Sequence, residues 1–537
     1  MGVARAAHAK SEKVDLPRVI RSRPLLSHSR PNHEEGLMTA AANATSSQPS
    51  TAAQKIAGQA ANAARSVGHQ LAESSPVRTA IDTIVGEVRA KSALVTDVRG
   101  PIPELAQSYE QLMARAAAVR GRSLLYPYIS SGCGNGALVE LMDGSVKWDM
   151  ICGIGVHFFG HSEPDLVRAA VEAGLEDTLK HGNLQTSNAA FEFAETLLVE
   201  AQKHSRLKHC FVSTSGAMAN ENAIKVCYQK HAPGATRVIA FQDCFMGRTV
   251  TMSQLGDSAA GRVGIPLSTQ VDYMPFYNPV VADRMGETKY IDMCLDHLRQ
   301  YIERYPGQHA CFIFELVQGE GGFNVAPRDF HKALMEMCKA HNIAVWDDEI
   351  QSFGRTPRMF AYEHLNLGEY VDVLCVGKMT QACATLYTEA YNPKPGLLSG
   401  TFTGATADFR VGNRVIQKLR DGAYYGPEGL IERHHAEFRK HTLALIARRP
   451  EWFPANPKVK ELVSGCGGMM RFTPFGGDKD KVMKACRACF DEQVVLFYCG
   501  HGPYHVRMLP PLGVMKLEDW PRVFECLEKG LAKAAAS

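Results

Sequence analysis

No run of about 18 apolar residues occurs in the chain, so nothing in it is read as a membrane-spanning helix. Charge of one sign is also lacking: 59 basic against 56 acidic residues leave +3 over 537 residues. With no basic stripe interleaved with aromatics, a nucleic-acid partner is not implied. Paired cysteine motifs are missing as well. The 15 cysteines follow no repeating spacing and read as reduced thiols of a cytoplasmic protein. Cys486 and Cys489 form one CxxC in KVMKACRACF, where one face of a helix explains the spacing and no second pair completes a zinc site. His157 and His161 are spaced like helical ligands, but GIGVHFFGH is broken by glycines, so no metal is expected.

Residues 1–100 have few large apolar side chains. MTAAANATSSQPSTAAQKIAGQAANAARS is alanine, serine and glutamine, a composition that cannot bury a core. Arginines near the start suggest a transit peptide, but EKVD and NHEEG are acidic and no apolar segment follows. Gly2 lacks the downstream Ser or Thr of a myristoylation signal, and Met38 is an alternative start. The region reads as a mobile or loosely helical, non-catalytic extension.

From Pro101 the pattern becomes globular, with 45% hydrophobic and 21% charged residues over the whole chain. IPELAQSYEQLMARAAAV is a periodic helix, and ALVELMDGSVKWDM predicts two strands around the turn Asp143-Gly144. Pro164 to Leu179 and Ala189 to Gln202 read as helices. Strands and helices then alternate: HCFVST, a helix, RVIAF, a polar loop and VTMSQL, the helix YIDMCLDHLRQYIERY, ACFIFELVQ, a helix, IAVWDDE and VDVLCVGK. This order predicts an α/β fold with a large, mostly parallel sheet covered on both faces and functional residues at the carboxyl ends of its strands. After Gly404, two long helices lead into a strand-rich α+β region closed by an amphipathic helix. The expected division is 1–100 extension, 101–160 N-terminal segment joining the small domain, 161–405 large domain and 406–537 small domain.

Two apolar runs end abruptly in charge: VLCVGK at Lys378 and AVWDDEIQ at Asp347, Asp348 and Glu349. A lysine and an acid at neighbouring strand ends suit pyridoxal phosphate, which needs an amine for a Schiff base and a carboxylate for its ring nitrogen. A salt bridge at the sheet edge explains that pair equally well. Ser215-Gly216-Ala217, between a strand and a helix, makes a phosphate-binding turn.

Five motifs in order, over roughly residues 120–535, resemble the class III pyridoxal-phosphate aminotransferases of fold type I. That family includes ornithine, 4-aminobutyrate and lysine 6-aminotransferases. The resemblance implies a phosphate turn at Ser215, Gly216 and Ala217, and stacking of Phe245 on the cofactor. It also implies that Arg248 holds a substrate carboxylate, that Asp348 pairs with the ring nitrogen and that Gln351 bonds the ring hydroxyl. Lys378 becomes the Schiff-base and proton-shuttling lysine. Glu320 becomes a switch that pairs with or releases Arg507, and Thr401 reaches the cofactor phosphate of a second subunit, making a homodimer with shared active sites. Tyr126 is a candidate substrate-side tyrosine. Met246 stands where the family has His or Trp, Leu316 where it has Pro, and the stretch after Lys378 lacks the usual glycines. The reaction implied is ping-pong transfer of the terminal amino group of an ω-amino or diamino acid to a 2-oxo acid, 2-oxoglutarate. Other pyridoxal-phosphate reactions (decarboxylation, racemisation, amine elimination, amino shift) and a non-catalytic scaffold are the alternatives.

Overall fold

A computed structural model describes residues 66–536 of the protein. The transit-peptide, myristoylation and Met38 readings concern residues outside that range. Residues 66–100, grouped on composition with the extension, are instead part of the folded body, whose compact unit starts at Ser66. Helix Ser75–Ser92 turns Ile81 and Val85 inward at i,i+4 spacing. Ser92 Oγ then donates to the Gly134 carbonyl, and Val95 joins the main core. A helix needs only a few such residues to dock, so the composition of residues 1–100 taken as a whole conceals it.

Seven strands form the central sheet: β1 (Leu207–Ser213), β2 (Arg237–Phe241), β3 (Gln270–Met274), β4 (His309–Phe314), β5 (Ala344–Glu349), β6 (Val373–Val376) and β7 (Cys383–Thr388). Their order is β1-β7-β6-β5-β4-β2-β3. All neighbours are parallel except β7, which runs antiparallel to both β6 and β1. The mostly parallel sheet expected from the alternation is present. β4, β5 and β6 are buried at every position, because helices cover both faces. The even side of β5, Ala344 and Trp346, packs under helix Gly216–His231 with Ala219 and Ala223; Val345 faces the other core with Phe312, Leu334 and Leu374. VTMSQL is the helix Val250–Leu255, capped by Thr249. The helix starting at Pro164 stops at Ala173, where Gly174 follows.

Two four-stranded sheets flank this body. One joins Ser130–Asn135, Leu138–Leu141, Val146–Asp149 and Val494–Val495. The other is wholly antiparallel, in the order Val463–Cys466, Met469–Phe472, His505–Met508, Phe497–Cys499. In its register Arg471 and Phe497 lie on either side of Arg507. Helices Leu430–Arg448 and Lys479–Asp491 accompany these strands, Thr406–Asp421 packs on helices Asn188–Gln202 and Pro164–Ala173, and Cys486 and Cys489 are buried on Lys479–Asp491. Among the described residues no helix is long and apolar enough to cross a membrane.

Candidate active site

The sheet delivers five segments to one edge. β1, β2, β4, β5 and β6 all run the same way, so the residues after Ser213, Phe241, Phe314, Glu349 and Val376 leave the sheet together. Phe314 is opposite Asp347 and Cys375 opposite Asp348, which puts Glu315 and Cys375 beside Asp348 and Gly377 beside Ile350.

Asp348 is buried and points toward helix Gly216–His231. Asn220 Nδ2 donates to its Oδ2 at 2.8 Å, and the Ile350 amide to its Oδ1 at 3.0 Å. The same Asn220 nitrogen donates to the Met246 carbonyl at 2.9 Å. Burial pushes the Asp348 carboxyl up to about 6, against those two donors and the Lys378 charge. No cation is ion-paired with it among the described residues. Lys378 follows β6 with φ +49°, a left-handed conformation that costs a non-glycine residue about 1–3 kcal/mol and clusters at functional sites. Burial lowers its ammonium to about 8, with Glu320 opposing and Arg507 reinforcing the shift.

The turn after β1 carries Ser215 as the N-cap of helix Gly216–His231, its hydroxyl accepting from Met218 N at 3.3 Å. Glycine is required next, because a Cβ on Gly216 would lie 2.9 Å from Ile350 Cγ2. Ala217 touches the next motif in turn: a Cβ on Gly247 would meet its Cβ at 2.6 Å. Phe245 is half-buried, and Arg248 is exposed, its guanidinium 5.0 Å from the Phe245 ring centre and its Nη1 3.4 Å from the Gly261 carbonyl. Arg248 makes no ion pair among the described residues.

Glu320 and Arg507 meet directly. Arg507 Nη2 donates to both Glu320 oxygens at 2.8 Å, and its Nη1 donates to Gln351 Oε1 at 3.1 Å. The Arg507 side chain is 0% exposed and that of Glu320 24%. Two rings flank the guanidinium, Phe497 at 5.2 Å and Phe323 at 5.7 Å. Burial opposes ionisation of Glu320, yet Arg507 and Lys378 hold it below the ordinary carboxylate value.

Glu315 is the residue whose importance the sequence concealed. Its Oε2 accepts from Phe245 N at 3.2 Å and its Oε1 from Gly319 N at 3.1 Å, tying the Phe245 turn to the Glu320 loop. Burial first, then the Asp348 charge, pushes it up to about 8. Its position after an apolar strand was visible; its two backbone partners, 70 and four residues away, were not. Glu349, on the opposite face from Asp348, accepts from the Ala361 and Tyr362 amides at 2.8 and 3.0 Å and so fixes the loop that follows Gln351.

The remaining candidates stand apart from this group. Tyr126 donates to the Leu496 carbonyl at 2.8 Å and stacks on Phe490 at 5.0 Å. It lines, with Phe497, His157 and His161, a cavity of about 440 Å³. Thr401 is exposed, its backbone packed on Gly182. His161 Nε2 is 3.0 Å from Asp149, a structural pair.

Residues 123–531 match the family model described as aminotransferase class-III. The chain belongs to the class III aminotransferase family. It is 28% identical to 4-aminobutyrate aminotransferase of Mycobacterium leprae over 80% of this chain and 95% of that protein. With acetylornithine aminotransferase of Bacillus subtilis the identity is 32%, over 71% and 90%. A lysine aminotransferase from M. tuberculosis has the same fold, with a TM-score of 0.68, 22% identity, and coverage of 79% of this chain and 99% of that one. The protein is therefore an aminotransferase of the pyridoxal-phosphate-dependent class, acting on an amino donor and a keto acid.

The residues present fit that cofactor. A helix N-terminus with a glycine that a Cβ would jam against Ile350 makes a phosphate cradle. Asp348 is a buried carboxyl with two donors and, among the described residues, no ion-paired cation, the environment a protonated ring nitrogen would complete. Lys378, its ammonium weakened, supplies the amine.

Proposed function

We propose that the enzyme moves the terminal amino group of an ω-amino or diamino acid, of the lysine, 4-aminobutyrate or ornithine type, to 2-oxoglutarate. The products are a semialdehyde and glutamate. The observation that carries this reading is the Glu320–Arg507 pair beside Lys378. A ping-pong transferase must admit two different molecules to one centre. Paired with Glu320, Arg507 is neutralised and tolerates a donor bearing an ammonium group; released, it offers its donors to the second carboxylate of 2-oxoglutarate. The names of the relatives, which act on 4-aminobutyrate, acetylornithine and lysine, support the same donor class.

Bound pyridoxal phosphate supplies the electron sink. Ser215, Gly216 and Ala217 would hold its phosphate, Phe245 its ring face, Gln351 its ring hydroxyl and Asp348 its ring nitrogen. Lys378 Nζ removes the proton from the amine-bearing carbon of the donor, a task suited to an amine lowered toward neutrality. Arg248 orients the donor carboxylate; its exposure leaves its donors available. Tyr126 forms part of the substrate-side wall. The enzyme works as a homodimer in the cytoplasm, with Thr401 of each subunit completing the phosphate site of the other. Exposure of Thr401 and of Phe402, 47% exposed, supports that assembly.

The test is glutamate formation by purified, cofactor-loaded enzyme with 2-oxoglutarate and lysine, ornithine, 4-aminobutyrate or N-acetylornithine in turn. One of these donors should give stoichiometric glutamate. Release of carbon dioxide or ammonia, or formation of the other enantiomer, without glutamate would replace this reading with another reaction on the same scaffold.

A further inference from the structure

Behind the loop that carries Glu320 lies a second cavity, of about 730 Å³, between that loop, residues 275–281, residues 458–464 and residues 501–505. Lys378, Asp348 and Glu320 do not line it; Gln318, Gly321 and Asn324 do. Its wall includes Arg471, the cross-strand neighbour of Arg507. Paired residues of an antiparallel sheet share a face, so the two arginines stand side by side.

Arg471 grips the loop from the back. Its Nη1 donates to the Gly322 carbonyl at 2.6 Å and to Asn324 Oδ1 at 3.0 Å, and is 3.0 Å from His505 Nε2. His505 Nδ1 lies 2.8 Å from Thr473 Oγ1, so the ring donates there and accepts from the arginine. Asn324 passes the contact on, donating to Gln318 Oε1 at 2.9 Å and to the Gly321 carbonyl at 3.1 Å.

No carboxylate pairs with this guanidinium among the described residues. Its Nε is buried without an acceptor, and its Nη2 has none either. A half-buried arginine with no counter-charge is costly, and one whose Nε–Nη2 edge is unused has the fork geometry that grips carboxylate or phosphate. Burial lowers its pKa for the same reason. Lys458, also on the wall, is likewise without an ion-pair partner, whereas Lys460 is bound to Asp283 at 2.7 Å and Glu461 lies 3.6 Å from Arg439. The other carboxyl on the wall is Asp243; burial raises its pKa, and His501, also on the wall, opposes the rise.

We propose that this cavity binds a small organic anion through a carboxylate or phosphate group held by Arg471 and Lys458, and that its occupancy acts on the Glu320–Arg507 pair. The route is short. An anion that draws the Arg471 guanidinium toward itself loosens its hold on the Gly322 carbonyl, two residues from Glu320.

Calorimetric titration of the cofactor-loaded enzyme at constant ionic strength, with malonate and separately with inorganic phosphate, tests this. Beside any binding at the active site, which Arg507→Gln weakens, one saturable event is expected that survives Arg507→Gln, weakens about tenfold or more in Arg471→Gln, and weakens severalfold in Lys458→Ala. Tighter binding of malonate identifies a carboxylate ligand, and tighter binding of phosphate a phosphorylated one. Circular dichroism and melting establish whether Arg471→Gln folds; if it does not, Lys458→Ala decides. Absence of saturable binding by either probe overturns the proposal. So does the loss of every event in Arg507→Gln, or a surviving event indifferent to Arg471→Gln and Lys458→Ala.

Discussion

Arg507 Nη2 lies 2.8 Å from both oxygens of Glu320, in a cross-strand row that also holds Arg471 and Phe497. The arginine is fully buried and its partner is not, and in the proposed reaction the glutamate is the member that moves. Charge-assisted hydrogen bonds of this kind contribute about 1.5–3 kcal/mol.

Glu320→Gln leaves Arg507 charged and less masked. The KM for the ω-amino donor should rise about tenfold, while that for 2-oxoglutarate stays level or falls. Arg507→Met should do the reverse, raising the KM for 2-oxoglutarate about 100-fold. Steady-state kinetics with each substrate varied separately distinguishes the two patterns. Equal effects of both variants on both substrates would contradict the alternation between them.

Glu315 joins two loops through backbone amides. Glu315→Ala leaves the Phe245 and Gly319 amides without their acceptor, at a cost of about 1–3 kcal/mol for each that water does not reach. Glu315→Gln keeps one acceptor and should lose less. Denaturant unfolding of the three proteins checks the order: wild type, then Gln, then Ala.

Stability should depend on pH in a defined direction. The Asp348 and Glu315 carboxyls are raised to about 6 and about 8 in the fold, from ordinary values of 3.8 and 4.5. The native state thus binds more protons than the unfolded chain, and their contribution, full below about pH 4, is lost as pH rises through 6 and then 8. Burial of His331, His434 and His505 lowers their pKa and acts the other way below about pH 6.5, so the decline is read as the melting temperature of the cofactor-free protein relative to that of the Asp348→Asn/Glu315→Gln double variant, from about pH 5 to pH 8.5. Asp348→Asn should flatten the lower half of that decline, and an unchanged profile would count against the burial argument.

Much of the fold was legible because it rests on periodicity. The apolar runs of β4, β5 and β6 are buried at every position, as parallel strands between helices must be. Lys378 and Asp348 were legible for the same reason: each breaks an apolar run. Glu315 breaks one too, but its role depends on amides that only the fold brings near. Arg471 had no signal, since a lone arginine in MMRF reads as a solvated strand residue until its cross-strand partner is known. Residues 66–95 were hidden by the alanine- and serine-rich stretch before them, since only Ile81, Val85 and Ser92 of helix Ser75–Ser92 are buried.

Lys378→Ala should fold at least as well as the native enzyme, since it removes a buried cation and leaves the backbone conformation with the same cost. Its turnover should fall by about 100-fold or more, the contribution expected of a positioned acid–base group. Melting temperature and initial rate, measured on one preparation, separate the two effects.

The central claim is that this active site passes an ω-amino group to the cofactor and then to 2-oxoglutarate. Its most direct test is a half-reaction: the visible absorbance of purified, cofactor-loaded enzyme is followed while lysine, ornithine or 4-aminobutyrate is added with no keto acid present. The account predicts that one donor bleaches the band, that 2-oxoglutarate restores it, and that Lys378→Ala shows neither change. A band that none of the donors bleaches, or a bleached band that 2-oxoglutarate fails to restore, would contradict it.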